Sequence, residues 1–191
     1  MSGGYLANAS TFLIEVVFGL YIFAVLLRFL FQLVRADFYN PVSQAIVTLT
    51  NPPLKRMRRV IPPVSGLDTS SLVLMFVLQL VALWLTYSVL GFSASLAGLV
   101  VGAIAALIGK TVYVFIGAIL IGVVVSWIAP GGYSPVLALV DDLARPLLRP
   151  VRRSLPPLGG LDLSPLVVLV GLQLFLMLFV WPLRDIGRGL A

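Results

Sequence analysis

Two stretches of the chain, separated by a constant offset of 94 residues, carry nearly the same sequence. Residues 52–80 read PPLKRMRRVIPPVSGLDTSSLVLMFVLQL, and residues 146–174 read PLLRPVRRSLPPLGGLDLSPLVVLVGLQL. Fifteen of the 29 aligned positions are identical, and the alignment needs no gap. Each copy joins a basic, proline-rich segment to a long apolar run. The chain is therefore expected to fold as a tandem repeat of one unit.

The amino-acid composition indicates whether this repeat unit folds in water or in a membrane. Of the 191 residues, 60% are hydrophobic and 10% are charged, whereas soluble domains carry about 25% charged residues. So much apolar surface is expected in a membrane rather than in a soluble core. The chain has no cysteine and no histidine, which excludes disulfides, thiolate nucleophiles, imidazole acid–base chemistry and the usual zinc sites. We therefore expect a protein that is not an enzyme and that holds no metal or other cofactor.

Four apolar runs are long enough to cross a bilayer, which takes about 20 helical residues. They are residues 12–34, 71–92, 111–129 and 165–183. Helices are the expected form because unpaired backbone groups are too costly in lipid. The sequence thus predicts an all-α integral membrane protein with four transmembrane helices in two repeats of span, hinge and span.

The stretch between the two repeats is apolar but short and rich in glycine, and it ends at Lys110. If it crossed the membrane, the two basic segments would lie on opposite sides, against the positive-inside rule. We therefore expect it to lie on the membrane surface or to re-enter the membrane. The predicted division is a first repeat over 12–92, this apolar linker over 93–110, a second repeat over 111–184 and an external tail over 185–191.

The basic residues cluster along the chain. Nine of the thirteen fall between Arg35 and Arg59 or between Arg145 and Arg153. This is the pattern of membrane-flanking segments on the cytoplasmic face rather than of a nucleic-acid-binding surface. It predicts a multi-pass membrane protein with both basic segments in the cytoplasm and both termini external.

A short interfacial helix is expected before each basic run. Asn40-Pro41 and Ser134-Pro135 have the composition of a helix start, in which a capping side chain is followed by proline. Proline disfavours helical backbone in the residue before it. Pro52-Pro53 and Pro146 are therefore expected to end these two helices.

A proline pair and a glycine follow the basic run in each copy. We expect the proline pairs to be extended and to fix the angle between the basic run and the next span. The glycines mark turns. These hinge residues are Pro62, Pro63 and Gly66 in the first copy and Pro156, Pro157 and Gly160 in the second.

An aspartate stands where the second span of each repeat begins, Asp68 in the first copy and Asp162 in the second. A carboxylate is favoured at the positive end of a helix dipole and accepts hydrogen bonds from the first backbone amides. Two symmetric aspartates could also form a catalytic pair that shares a proton. Each has arginines nearby, which should keep it ionised, so we expect a helix cap or a salt bridge.

The hinge sequences also carry a family resemblance. "NPPLKRMRRVIPPVSGLDTSSLV" and "ARPLLRPVRRSLPPLGGLDLSPLV" resemble the two copies of the motif of the YggT family, small integral membrane proteins of bacteria and plastids. The resemblance covers about residues 12–183 and implies a location in the bacterial inner membrane. It implies a link to ion and osmotic homeostasis, to the cell-division gene neighbourhood or, in plastids, to assembly of photosynthetic membrane complexes. It implies no catalytic residue.

The basic side chains of the hinges have two compatible interpretations. They determine topology, or they also form a docking surface for anionic lipid headgroups or partner proteins, where each cation contributes about 1 kcal/mol. The expected partners are therefore an anionic bilayer and other membrane proteins or further copies of this chain. The candidate residues are Lys55, Arg56, Arg58, Arg59, Arg145, Arg149, Arg152 and Arg153.

Four polar side chains fall inside the predicted spans: Glu15, Arg28, Gln79 and Gln173. Each glutamine either joins helices by a hydrogen bond or lines a path for a solute. Because they occupy equivalent positions, we expect the two amides to approach each other near a pseudo-two-fold axis. Glu15 and Arg28 lie near the ends of the first predicted span, from which both side chains could reach the interface.

Two functions remain open from the sequence. The first is a non-enzymatic membrane scaffold or assembly factor that presents a basic cytoplasmic platform. The alternative is a channel or transporter component in ion or osmotic homeostasis. The two differ in whether Gln79, Gln173 and Glu15 line one continuous cavity.

Overall fold

The computed structural model describes residues 2–64, 66–128, 132, 134–155 and 162–190 of the chain. These residues form seven α-helices: α1 (Ser2–Leu33), α2 (Pro41–Met57), α3 (Thr69–Leu90), α4 (Leu96–Ile128), α5 (Pro135–Ser154), α6 (Ser164–Phe175) and α7 (Trp181–Gly189). A π-helical turn at Leu176–Val180 joins α6 to α7 without a break. The described residues contain no β-strand, and the predicted all-α fold is confirmed.

Among the described residues, four helices are long and apolar enough to cross a membrane, which confirms the predicted number of spans. They are α1, α3, α4 and the continuous helix Ser164–Gly189. At 32 and 33 residues, α1 and α4 each extend about 50 Å, more than the roughly 30 Å of a hydrocarbon core. Large apolar side chains remain exposed along all four, as expected of helices that face lipid.

The structure differs from the predicted linker between the repeats. Helix α4 begins at Leu96 and continues without interruption to Ile128, so residues 96–110 are its first half rather than a separate surface-lying or re-entrant segment. The repeat itself explains this, because α1 begins at Ser2 and the same offset of 94 leads to Leu96. Helix α1 likewise begins ten residues before residue 12, where the first span was predicted to start.

The hinge helices also pass through the prolines that were expected to end them. Helix α2 contains Pro52 and Pro53, and α5 contains Pro146 and Pro150. Proline leaves the carbonyl four residues earlier without its helical partner. In α2 those carbonyls belong to Thr48 and Leu49, which are exposed, so the freed oxygens need no partner inside the protein.

Burial of apolar side chains holds these proline-containing helices in place. In α5, Leu139, Leu143 and Leu148 are buried on one side, and α5 packs against α4 and α6. In α2, Leu54 is fully buried. Tertiary packing therefore outweighs the local preference of proline, and most of the basic residues lie on helices rather than on extended segments.

The helices of the first repeat pack, together with α4 and α5, around a core near the hinges. Helix α1 packs most extensively on α3, with Val25 and Leu30 against a cluster that includes Met75. Helix α3 also packs on α4, and α4 packs in turn on α5, α6 and α7. Contact between α3 and α4 thus joins the two repeats.

Three glycines allow α4 and α7 to approach closely. A Cβ atom added to Gly187 would lie 2.8 Å from the backbone nitrogen of Gly102 and 3.3 Å from the carbonyl oxygen of Gly98. No side chain fits in that space. The G-x-x-x-G pair of α4 is therefore a helix-packing surface, as small residues are in many membrane proteins.

Both hinges lie at the same end of the helix bundle. The Asn40 side chain caps α2 by accepting a hydrogen bond from Val42, and its Nδ2 donates to the carbonyl of Pro135 at the start of α5, at 2.6 Å. At the other end, the Ser95 hydroxyl donates to the carbonyl of Leu190. The two repeats therefore run in the same direction, with their basic segments side by side.

Candidate functional site

The basic side chains of the two hinges form one exposed surface, which we call the basic platform. All of its members are exposed to the surroundings, while the opposite side of α5 is packed against the bundle. Outside the spans, the sequence from Arg35 to Asp162 contains nine cations and five aspartates. The hinge end of the bundle therefore has a net positive charge. The platform consists of Lys55, Arg56, Arg58, Arg59, Arg145, Arg149, Arg152 and Arg153.

Asp68 caps α3 and binds an arginine of the platform. Its side chain accepts from the backbone of Ser71 at 3.4 Å and from the Ser71 hydroxyl at 2.7 Å, and it forms an ion pair with Arg58. Burial opposes its ionisation, but the hydrogen bonds from Arg58 and Ser71 outweigh burial and hold the pKa of Asp68 below its ordinary value. A carboxylate held ionised in this way acts in structure rather than in acid–base chemistry.

Asp162 makes the equivalent ion pair in the second repeat. Its Oδ2 accepts from Arg152 Nε at 2.7 Å, and its Oδ1 accepts from the backbone of Ser164 at 2.9 Å. Burial slightly opposes ionisation, and the hydrogen bonds from Ser164 and Arg152 lower the pKa of Asp162 below its ordinary value. Because Leu163 occupies the N-cap position of α6, Asp162 lies one residue further out than its counterpart.

The first hinge makes a tight turn between α2 and α3. Pro62 and Pro63 lie in the non-helical connection, and the backbones of Val64 and Leu67 bond to each other across the turn. Gly66 has a φ of +81°, a conformation that favours glycine. Pro156, Pro157 and Gly160 of the second hinge lie outside the described residues, so their predicted roles stay predictions.

Arg28 joins α1 to α2 by hydrogen bonds. Its Nη1 donates to Thr50 Oγ1 at 2.8 Å and to the carbonyl of Val47 at 3.2 Å, and its Nη2 donates to Asn51 Oδ1 at 3.4 Å. The side chain is buried. All three acceptors are uncharged, so the positive charge of Arg28 has no ionic partner among them.

Gln79 bonds to a lysine and not to the other glutamine. Its Oε1 accepts from Lys110 Nζ at 2.7 Å, which links α3 to α4. Gln173 is half-buried on α6 and makes no hydrogen bond among the described residues. The predicted approach of the two amides is therefore wrong, because Lys110 supplies the partner that Gln79 requires.

Gln79 and Glu15 line one cavity, together with Lys110. The cavity has a volume of about 630 Å³ and lies between α1, α3, α4 and α7. Gln173 is not among its lining residues. Glu15 and Lys110 lie 13 and 14 residues after the starts of α1 and α4, so both charges are deep within their helices rather than at the ends.

Lys110 was missed as a candidate because it interrupts an apolar run and so resembles the end of a segment. The offset of 94 could have revealed it, because this offset aligns Lys110 with Val16, next to Glu15. Asn40 was recognised as a cap, but its bond to a residue 95 positions away had no signal in the sequence.

These features define the class: a multi-pass α-helical membrane protein built from two tandem repeats. The sequence profile of the CCB3/YggT family matches residues 7–89 and 101–183, the same offset of 94. The chain belongs to this family, as its hinge motifs predicted. The second match begins at residue 101, inside the segment that the sequence suggested was a linker.

Similar proteins cover nearly the whole chain. An uncharacterized protein of Pseudomonas aeruginosa is 44% identical over 177 residues, which are 92% of this chain and 90% of that protein. An uncharacterized protein of Vibrio alginolyticus is 40% identical over 169 residues, or 87% and 90% of the two chains. The uncharacterized protein YggT of Escherichia coli K12 is 36% identical over 166 residues, 85% of each chain. No solved structure matches the chain.

Proposed function

We propose that this protein is a non-enzymatic membrane scaffold whose basic platform faces the cytoplasm and engages anionic headgroups and partner membrane proteins. The observation that carries the proposal is the position of the two basic segments, which are side by side at one end of the bundle. Asn40 bonds the start of α2 to the start of α5, so the two segments act as one surface.

The ion pairs of the hinges support a fixed platform. Arg58 and Arg152 are each bound to an aspartate, which ties the basic segment to the span that follows. Lys55, Arg56 and Arg149 are exposed and belong to no ion pair among the described residues. These cations are free to attract an anionic surface, and each contributes about 1 kcal/mol near such a surface.

Lipid enrichment around the protein tests this proposal. The protein is reconstituted in nanodiscs of mixed phosphatidylcholine and phosphatidylglycerol, and the composition of its tightly associated lipid is measured by mass spectrometry. Enrichment of phosphatidylglycerol is expected, and raising the salt concentration should weaken it. The double variant Arg56→Gln/Arg149→Gln should lose up to about 2 kcal/mol of this preference.

The matched control is Arg184→Gln/Arg188→Gln, which removes the same charge at the opposite end of the bundle. It should have a smaller effect because those two arginines flank Asp185. Equal lipid preference in the wild type, the platform variant and the control would overturn the proposal.

One observation favours a second function, a component of a path for ions or other solutes. Glu15, Gln79 and Lys110 line a common cavity among spanning helices. Charged groups inside a membrane are costly and therefore usually mark a functional site. Lys110→Met should then abolish ion flux in liposomes, while Lys55→Met on the platform should retain it. Absence of flux from the wild-type protein would leave the scaffold as the only proposal.

A further inference from the structure

A second cavity, which we call the hinge cavity, lies at the hinge end of the first repeat. It has a volume of about 620 Å³ and is open on one side. Its lining comes from α1, the connection after α1, α2 and the first hinge. The polar residues that matter are Arg28, Arg35, Ser43, Arg58 and Asp68.

The hinge cavity has an excess of positive charge. Its one carboxylate, Asp68, is engaged by Arg58 and by Ser71, so these two charges compensate each other. Arg28 and Arg35 belong to no ion pair among the residues that the structure describes. Two guanidinium groups therefore remain without an anionic partner.

Burial makes the charge of Arg28 significant. Only 8% of this side chain is exposed, and its hydrogen-bond acceptors are a carbonyl, a hydroxyl and an amide. Neutral acceptors satisfy its donors but do not neutralise its charge, and a buried charge is costly unless it is paired. An anion in the cavity would supply that pairing.

Ser43 provides an independent indication of a ligand. It lines the hinge cavity and is 5% exposed, and its hydroxyl has no hydrogen-bond partner among the described residues. Buried polar groups normally have a partner. Ser43 is the third residue of the 17-residue helix α2, where the helix dipole also favours a negative charge.

We propose that the hinge cavity binds a phosphate group, carried by an anionic phospholipid or present as inorganic phosphate. Arginine donors match phosphate oxygens in geometry and charge. Arg28 and Arg35 would supply the charge, and the Ser43 hydroxyl would donate to a phosphate oxygen. This inference does not depend on the scaffold: of the platform residues only Arg58 lines the cavity, and its charge is paired with that of Asp68.

The second repeat lacks this site, which makes it an internal reference. The positions equivalent to Arg28, Arg35 and Ser43 are Gly122, Ala129 and Leu137. The ion pair is present in both repeats, whereas the three residues that would hold the phosphate occur only in the first. Binding of one phosphate group for each chain is expected, not two.

Two variants remove the site without removing the link between α1 and α2 that Arg28 makes. Arg35→Asn deletes a charge at a residue with a φ of 56°, a conformation that asparagine accepts better than most residues. Ser43→Leu places in the cavity the residue that the second repeat has at this position. The controls are Arg188→Asn, at the opposite end, and Ser126→Leu, which is exposed near the end of α4.

Two measurements on the full-length protein in neutral detergent distinguish the sources of phosphate. Isothermal titration with inorganic phosphate, against chloride at equal ionic strength, reports a free anion. Native mass spectrometry after addition of phosphatidylglycerol reports a retained phospholipid. A single site is expected in at least one measurement, weakened about tenfold or more by Arg35→Asn and by Ser43→Leu and unchanged in both controls.

Binding of inorganic phosphate in the titration, with no lipid retained in the mass spectrum, would identify inorganic phosphate as the ligand. Retained phosphatidylglycerol, with no binding of inorganic phosphate, would identify a lipid headgroup. Both results support the site. Binding of neither probe, or binding that the two variants leave unchanged while their unfolding temperatures match the wild type, would overturn it. If the wild-type protein binds one phosphate group in the hinge cavity but does not enrich phosphatidylglycerol in nanodiscs, only the scaffold proposal is contradicted.

Discussion

The two hinge aspartates occupy equivalent positions but differ in burial. The Asp68 side chain is 4% exposed, whereas that of Asp162 is 43% exposed. Asp68→Asn should therefore lower the free energy of unfolding by about 2 kcal/mol, as expected for a buried hydrogen bond to a charged group. Asp162→Asn should cost less than about 1 kcal/mol. Thermal unfolding of both variants in one detergent checks this order, and equal losses would contradict it.

The same carboxyls make stability depend on pH. Both pKa values are lowered in the folded protein, so both contributions are fully present above the ordinary value of about 4. They are lost as the pH falls through the lower, folded pKa. The unfolding temperature should fall with acidification below about pH 4, and less steeply for Asp68→Asn than for the wild type.

The bond between Gln79 and Lys110 predicts coupling between these two residues. Gln79→Leu leaves the ammonium group without its partner, and Lys110→Met leaves the amide without a donor. Each single change should be destabilising, and the double change should cost less than the sum, by roughly 0.6 kcal/mol and at most about 2. Gln173→Leu is the control and should not couple with Lys110→Met. Additive losses in a thermal unfolding cycle would show that this hydrogen bond does not contribute to stability.

Some residues could be assigned from the sequence because their role is local. Asn40 and Ser134 were predicted as helix caps, and their side chains do accept from the first backbone amides. Other roles depend on residues far along the chain. Arg28 bonds to Thr50, and Lys110 bonds to a residue 31 positions before it. No local pattern contains that information.

At the scale of the element, the crossing of α4 and α7 gives a sharp prediction. Gly187→Ala would place a Cβ atom within 2.8 Å of the Gly102 backbone nitrogen, and such overpacking costs about 1–3 kcal/mol. Gly171→Ala is the matched control, since nothing lies within 4 Å of its new Cβ. The control should be neutral or stabilising by up to about 1 kcal/mol, because alanine favours helix over glycine. The unfolding temperatures of the two variants show whether α4 and α7 cross closely, as in the structure, or loosely.

Helix boundaries were less predictable than helix number. The four spans follow from apolar length, which is a property of the segment itself. The ends of α2 and α5 do not, because burial of side chains such as Leu54 and Leu148 outweighs the effect of proline on the backbone. The start of α4 was misplaced for a similar reason, since its glycines pack against α7 rather than interrupt the helix.

At the scale of the whole molecule, the arrangement of the four spans predicts accessibility from the two sides of the membrane. The chain has no cysteine, so single cysteines can be introduced without background. Val60→Cys and Ser154→Cys are equivalent, exposed positions in the two hinges, and Ser93→Cys is exposed at the other end. In intact cells an impermeant thiol reagent should label Ser93→Cys and neither hinge position.

Two outcomes of that experiment have different meanings. Labelling of one hinge position alone would require an odd number of crossings between the hinges and would contradict the four-span structure. Labelling of both hinges with Ser93→Cys shielded would preserve the structure and reverse its orientation, and the platform would then face outward.

The opposite charges in the cavity between the repeats depend on the joining of two copies in one chain. Glu15 and Lys110 come from neighbouring positions of the two copies, yet one is an acid and the other a base. Two separate chains of one repeat each, paired as a symmetric dimer, would carry every substitution twice. Such a dimer would place the same charges on both sides of the cavity. Because one chain holds both copies, they can differ here: the first copy has Glu15 where the second has Gly109, and the second has Lys110 where the first has Val16.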